Sequence, residues 1–223
     1  MKNPLSNTTK VYQSFAGHGV DVASLRVDDL DRLMLEEVTQ RTQPAVLDLG
    51  CGAGGQSLRL AQLGAKVTAI DVFDFSEQFS NLRLVNNLSN DKLNFIKGDI
   101  KNLSELVKRQ TFDLVYSQRT FHYLKYDDVF SILNFLRRIT KEKLFISVTG
   151  IETTLADNYD AKTLPIRDRF AKLPKEAQET FQIYEPVCLY AKDEFMSLLK
   201  ECGWQIEWCR QSDFGNVKAV CNL

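Results

Sequence analysis

Histidine is nearly absent from this 223-residue chain: His18 and His122 are the only two. The five cysteines (Cys51, Cys188, Cys202, Cys209, Cys221) are odd in number and contain no Cys-x-x-Cys pair. Neither a zinc site nor a disulfide scaffold suits that inventory, so no metal is expected and a reducing, cytoplasmic setting is. Long apolar runs are missing too. No stretch reaches the roughly 18 residues a membrane helix needs, and Met1 to Phe15 has no apolar signal core, so no membrane partner is expected. Charge of one sign is not in excess: the formal net charge is −1 with a pI near 6.2, which argues against a duplex nucleic-acid surface. There is no internal repeat and no low-complexity segment.

Hydrophobic residues make up 44% and charged residues 26%, enough for one α/β domain with a full core and room for an insertion. The informative stretch is Val46 to Ala61, VLDLGCGAGGQSLRLA. A short apolar strand ending at Asp48 runs into a turn with Gly50, Gly52, Gly54 and Gly55, after which Ser57, Leu58, Leu60, Ala61 and Leu63 take up helical spacing. Strand, glycine turn and helix form the opening unit of a nucleotide-type cofactor fold. Glycines permit positive φ and close approach of a ligand to the backbone, and amides at the helix start are expected to face an anionic group.

Gly50-x-Gly52-x-x-Gly55 alone is a weak dinucleotide fingerprint. Asp48, two residues before the first glycine, sharpens it: the string D-L-G-C-G-A-G-G resembles motif I of the class I S-adenosylmethionine-dependent methyltransferases. Further resemblances follow in order. Lys66 to Asp71 reads as a second strand ending in an acid 23 positions after Asp48, where the family holds the donor's ribose; Val72 and Phe73 would lie against adenine. Leu93 to Lys97 reads as a third strand, and Gly98-Asp99-Ile100 resembles the motif whose acid bonds the adenine amino group, although an Asp after a strand is also an ordinary N-cap. Phe112-Asp-Leu-Val-Tyr-Ser117 resembles motif IV and leads into Arg119, Phe121, His122 and Tyr123, where the family places its reacting groups.

The resemblance implies a doubly wound, Rossmann-like seven-stranded sheet in the order 3-2-1-4-5-7-6, with strand 7 antiparallel and a cap insertion. A single domain is expected, with four parts: a helical segment over the site (1–43), a cofactor core (44–150), a cap (151–190) and a closing helix and hairpin (191–223). Helices are predicted at Asp28–Val38, Phe75–Val85, Tyr126–Ile139 and Ala191–Cys202, with short ones at Ile166–Leu173 and Pro174–Gln182, the latter with Pro174 as its first residue. A fifth strand is predicted at Lys143–Thr149 and a closing hairpin at Trp204–Cys209 and Val217–Cys221. The 151–190 stretch, with Pro165, Pro174 and Pro186, is either a substrate cap or a shield for one sheet edge.

The expected donor is S-adenosylmethionine, with S-adenosylhomocysteine as product. Its binding residues would be Arg26, Asp48, Gly50, Cys51, Gly52, Asp71, Val72, Asp99, Ile100 and Ser117. Tyr12, Arg119 and Tyr123 would meet the acceptor, Tyr12, Phe15 and Phe121 could lie near the cationic sulfur, and His122 is the general-base candidate or a lining residue. The expected activity moves a methyl group to a small molecule, at oxygen or nitrogen ahead of carbon, in a monomer or homodimer. The alternatives are a protein or tRNA acceptor, a nicotinamide oxidoreductase, and a silent donor-binding protein. No Tyr-x-x-x-Lys pair supports the oxidoreductase, and no Asn/Asp-Pro-Pro-Tyr/Phe or Pro-Cys string after strand four supports a nucleic-acid methylase.

Overall fold

Apolar residues in the first strand alternate between two cores, and that alternation sets the architecture. In β1 (Ala45–Leu49), Val46 packs into one core while Leu47 and Leu49 pack into the other. A strand covered on both faces reads as a continuous apolar run, which is why this one looks parallel and central in sequence. The computed structural model describes His18 and residues 27–223.

The chain runs α1 (Asp29–Thr39), β1, α2 (Gly55–Gln62), β2 (Lys66–Asp71), α3 (Ser76–Asn86), β3 (Leu93–Lys97), α4 (Leu103–Val107), β4 (Phe112–Gln118), α5 (Tyr126–Ile139) and β5 (Thr140–Val148). After four short pieces at 154–181, of which α6 (Lys175–Phe181) is the α-helical one, it closes with α7 (Lys192–Glu201), β6 (Gln205–Gln211) and β7 (Val217–Asn222). The seven strands lie in the order β3-β2-β1-β4-β5-β7-β6, as expected. The first five pair in parallel, and β7 runs antiparallel between β5 and β6, with Val217 opposite Val148. Leu30, Met34 and Val38 of α1, Leu60 of α2 and Phe79 of α3 fill one face; Leu133 and Leu136 of α5 and Phe195 and Leu199 of α7 fill the other.

Several boundaries differ from expectation for local reasons. β5 begins at Thr140 directly after α5, because the Thr140 hydroxyl donates to Leu136 O (2.7 Å) and closes the helix while the backbone is already extended. Pro174 is the N-cap of α6 and not its first residue: its ψ of 149° is extended, and Lys175 starts the helix. α4 and the 3-10 turn before it (Ile100–Asn102) were not foreseen; a five-residue helix carries too short a pattern to read.

Segment 151–190 has its own small core of Leu155, Ala156, Tyr159, Leu173, Ile183, Val187 and Leu189. Buried Arg169 ties it to α7, donating to both oxygens of Glu194 (2.6 and 2.8 Å) and to the carbonyls of Leu164 and Leu189. Among the described residues no helix is long and apolar enough to cross a membrane, and no cluster of three His, Cys, Asp or Glu could hold a metal. None of the five cysteines forms a disulfide among the described residues.

Candidate functional site

A cavity of about 590 Å³ opens at the carboxyl ends of the parallel strands, where the order reverses between β1 and β4. This switch point is where doubly wound sheets bind ligands, because adjacent loops diverge there to opposite faces. Each strand delivers side chains to it in sheet order.

β1 delivers Asp48 and the turn Gly50-Cys51-Gly52, with φ of 70° at Gly50 and 53° at Gly52. The turn is held against β2: the N–H groups of Gly50 and Cys51 donate to Ile70 O (2.8 and 3.2 Å), and Gly52 N–H donates to Asp71 Oδ2 (2.9 Å). A Cβ on Gly50 would lie 2.0 Å from Thr120 Oγ1, so glycine is needed there for the close approach of β4's loop as well as for its φ. Gly54 and Gly55, at the start of α2, do not line the cavity, and Gly54 N–H donates to Cys51 O (3.1 Å).

Asp71, 9% exposed at the end of β2, accepts Gly52 N–H at one oxygen and Phe73 N–H at the other (3.0 Å). Burial raises its pKa, and those backbone donors oppose the rise. A carboxylate has about four acceptor positions, so it keeps capacity for two more donors. Asp48 is more deeply placed; its carboxylate accepts the Ser57 hydroxyl, and burial pushes its pKa up to about 7. β3 delivers Asp99 and Ile100. Asp99 caps the following turn through Lys101 N–H (2.9 Å) and also lines the cavity.

The far half is built from β4, β5, β7 and the 151–190 segment. Arg119, His122, Tyr123, Thr149 and Asn216 supply polar groups, and Leu155, Phe181, Ile183 and Phe214 supply apolar wall. Arg119 adopts a left-handed φ of 54°, held by its N–H to Ser147 O (3.0 Å), a strained placement of the kind found at functional turns. His122 is buried; its Nδ1 lies 3.4 Å from Thr149 Oγ1, and burial, then the charge of Arg119, lower its pKa to about 3. The Tyr123 hydroxyl donates to His18 O (2.6 Å), and the His18 ring packs against Phe73 (4.9 Å) and Tyr123 (4.8 Å) while its backbone bridges to Ile183.

Residues 46–143 match the sequence family described as "Methyltransferase domain". That stretch, under half of the chain, is similar to a methyltransferase domain. The chain is 28% identical over 155 residues to the mitochondrial ubiquinone biosynthesis O-methyltransferase of Dictyostelium discoideum, covering 61% of this chain and 47% of that protein. It is 30% identical over 147 residues to the ribosomal protein L11 methyltransferase of Campylobacter concisus, covering 63% and 44%. The chain thus spans about half the length of these curated relatives. A solved S-adenosylmethionine-dependent methyltransferase from Clostridium acetobutylicum shares the fold with a TM-score of 0.64 at 14% identity, over 88% of this chain and 92% of that one.

Of the residues expected from the sequence, the cavity gathers Asp48, Gly50, Cys51, Gly52, Asp71, Val72, Asp99, Ile100, Arg119, His122 and Tyr123. Ser117 is not among them: it is fully buried and its hydroxyl donates to Leu49 O (2.9 Å), tying β4 to β1. Strand alternation turned it away from the cavity and turned its neighbours Tyr116 and Gln118 toward it. Phe121 is fully buried in the core and does not line the cavity. Tyr12, Phe15 and Arg26 lie outside the described residues.

Sequence reading also missed the polar floor where α1 meets the sheet. The Tyr116 hydroxyl donates to Asp31, Gln118 Nε2 donates to Asp28 Oδ2 (2.6 Å), and buried Lys218 pairs with Asp28 (2.7 Å) and Asp29. Burial, the largest single influence, opposes ionisation of Asp28, but the bond to Lys218 and its charge, the Asp31 N–H bond and the charge of Arg119 together outweigh it and hold this carboxyl below its usual range. The signal for Lys218 was a lone charge inside the apolar run Val217–Cys221.

Proposed function

We propose that the protein transfers a methyl group from S-adenosylmethionine to a small-molecule acceptor, at oxygen or nitrogen ahead of carbon, in a reducing, cytoplasmic setting that suits five cysteines without a disulfide among the described residues. The observation that carries the reading is the series of acids at three successive strand ends, Asp48, Asp71 and Asp99, along one wall of a cavity whose opposite half holds neutral and cationic groups.

The residues fit an adenosyl donor. Asp71 is fixed at both oxygens yet retains acceptor positions for two ribose hydroxyls. Asp99, Ile100, Val72 and Phe73 line the same cavity, and in this reading the first two would meet the adenine edge and the last two its face. S-adenosylmethionine, when bound, supplies a methyl group on a cationic sulfur for in-line displacement. The chain's task is to hold and align the acceptor and to exclude water. His122, buried with its pKa near 3, is suited to orienting an acceptor's hydrogen-bonding group and not to storing its proton at neutral pH, so the general-base role gives way to a positioning one.

A cavity of about 590 Å³ falls in the range of ordinary ligand sites, roughly 300 to 1,000 Å³, and has to hold donor and acceptor together. That size favours a compact acceptor. Residues 151–190 act as a cap, with Leu155, Phe181 and Ile183 on the wall. The relatives named above are called after a ubiquinone-pathway and a ribosomal-protein acceptor, so kinship alone leaves the acceptor open.

Calorimetric titration of ligand-stripped protein with S-adenosylmethionine, S-adenosylhomocysteine and NADH tests the reading. Micromolar binding of the first two without the third is expected. Binding of NADH alone, or of none, would overturn it.

A further inference from the structure

Two buried polar atoms on the far half of the cavity, His122 Nε2 and the Asn216 side-chain oxygen, have no hydrogen-bond partner among the described residues. His122 is 2% exposed and Asn216 7%. Leaving such an atom unpaired is costly, and native proteins rarely accept that cost unless a water, an ion or a ligand completes the set. Both atoms belong to one cavity but come from distant elements, His122 from the turn after β4 and Asn216 from the residue before β7. Because β7 is antiparallel, its first residues sit beside the carboxyl end of β5, at the edge where the parallel strands deliver their site residues.

Asn216 is held rigidly. Its N–H donates to Ser212 Oγ (3.0 Å), its carbonyl accepts Ser212 N–H (2.9 Å), and Gly215 N–H donates to Ser212 O (2.7 Å). The turn is wedged against the cap: a Cβ on Gly215 would lie 2.9 Å from Thr153 N, and one on Gly150 would lie 2.0 Å from Gly215 O. Next to these atoms stand Phe181 and Phe214, packed edge to face at 5.9 Å, with Ile183 and Leu155. Among the described residues the polar groups of this half are Arg119, His122, Tyr123, Thr149 and Asn216, none of them a carboxylate that could receive an ammonium group.

We infer that Asn216 and His122 together select the methyl acceptor, taking a neutral, flat molecule that presents O–H or N–H groups to them against the aromatic wall. This rests on the methyl-transfer reading above. Thr149 bonds the other ring nitrogen of His122 as donor or acceptor, so Nε2 can complement either sense, while the Asn216 oxygen accepts. A site that bonds a ligand's O–H or N–H rejects the analogue lacking it far more strongly than an apolar pocket rejects a changed methylene.

The test uses full-length protein saturated with S-adenosylhomocysteine, whose own binding is measured first. Catechol, 2-aminophenol and indole are titrated as probes, each beside its fully methylated counterpart, in wild type, Asn216→Leu, Asn216→Asp and His122→Phe. At least one donor-bearing probe is expected to bind at least tenfold more tightly than its methylated partner. Asn216→Leu and His122→Phe should each erase most of that preference, while Asn216→Asp, which keeps the accepting oxygen, retains it. Equal binding of every pair, no binding by any probe, or a preference untouched by Asn216→Leu would overturn the inference even with S-adenosylhomocysteine bound normally. Failure of S-adenosylhomocysteine to bind would instead overturn the functional reading, and this inference with it.

Discussion

The carboxylate of Asp71 accepts the backbone N–H of Gly52 at 2.9 Å, across 19 positions of sequence. The acid at the end of β2 and the glycine turn after β1 are therefore one unit: whatever fixes the turn also aims the carboxylate. Asp71→Ala leaves the N–H groups of Gly52 and Phe73 without acceptors, at a cost of about 1–3 kcal/mol to stability. Calorimetry should show S-adenosylhomocysteine affinity falling at least tenfold, with Asn at this position recovering stability before affinity. Unaltered affinity would remove Asp71 from the ribose role.

Gly50 has no room for a side chain. Its φ is 70° and a Cβ would overlap Thr120 Oγ1 at 2.0 Å, so Gly50→Ala must displace the loop after β4 or the turn itself. A loss of at least 2 kcal/mol in chemical denaturation is expected. Adding Thr120→Gly should recover part of it, whereas equal loss in single and double variants would show that backbone strain alone is responsible.

Lys218 is buried against two carboxylates at the start of α1. Lys218→Met leaves Asp28 and Asp29 without that cation and should cost about 3 kcal/mol, lowering the melting temperature by about 10 °C. The pair's contribution is present above the ordinary carboxyl pKa of 3.8 and is lost as pH falls through the lowered folded value of Asp28. The difference between wild type and variant should therefore shrink below pH 4; a difference that stays constant through pH 3 would contradict the pairing.

Asp48 acts in the opposite sense. Burial raises its folded pKa to about 7 against 3.8 when unfolded, the Ser57 hydrogen bond opposing the rise. The folded state holds more protons between pH 4 and 7, so stability contributed by this group falls as pH rises through that window. Asp48→Asn should remove the slope, gaining on wild type from pH 4 to pH 8 by up to about 4 kcal/mol in denaturant midpoints. Parallel profiles would show that Asp48 ionises normally.

His122 should stay neutral across the physiological range. With its folded pKa near 3 against an ordinary 6.5, the unfolded chain binds the extra proton between those values, so stability is lost as pH drops below about 6.5. Ring carbon NMR shifts of His122 should be flat from pH 5 to 8. A midpoint near 6.5 would return it to the general-base role.

What the sequence determined by itself was the frame and the acid-bearing wall of the cavity. β2, β3 and α5 fall on their predicted residues, and the strand order follows from motif succession plus a closing hairpin. Such features are local: apolar period, glycine turns and an acid at a strand's end are set by a few neighbouring residues. Asp48, Gly50, Gly52, Asp71 and Asp99 were legible for the same reason. The far half was decided only in three dimensions. Ser117 and Gln118 are adjacent in sequence, yet strand alternation buries one and turns the other to the cavity. Asn216 reads as part of a turn, and only the antiparallel insertion of β7 beside β5 brings it to face His122's half of the site. Lys218 meets Asp28 across 190 positions, a pairing that no local period records. Contacts made by distant segments depend on which surfaces the assembled sheet brings together, and that information exists only once the chain has folded.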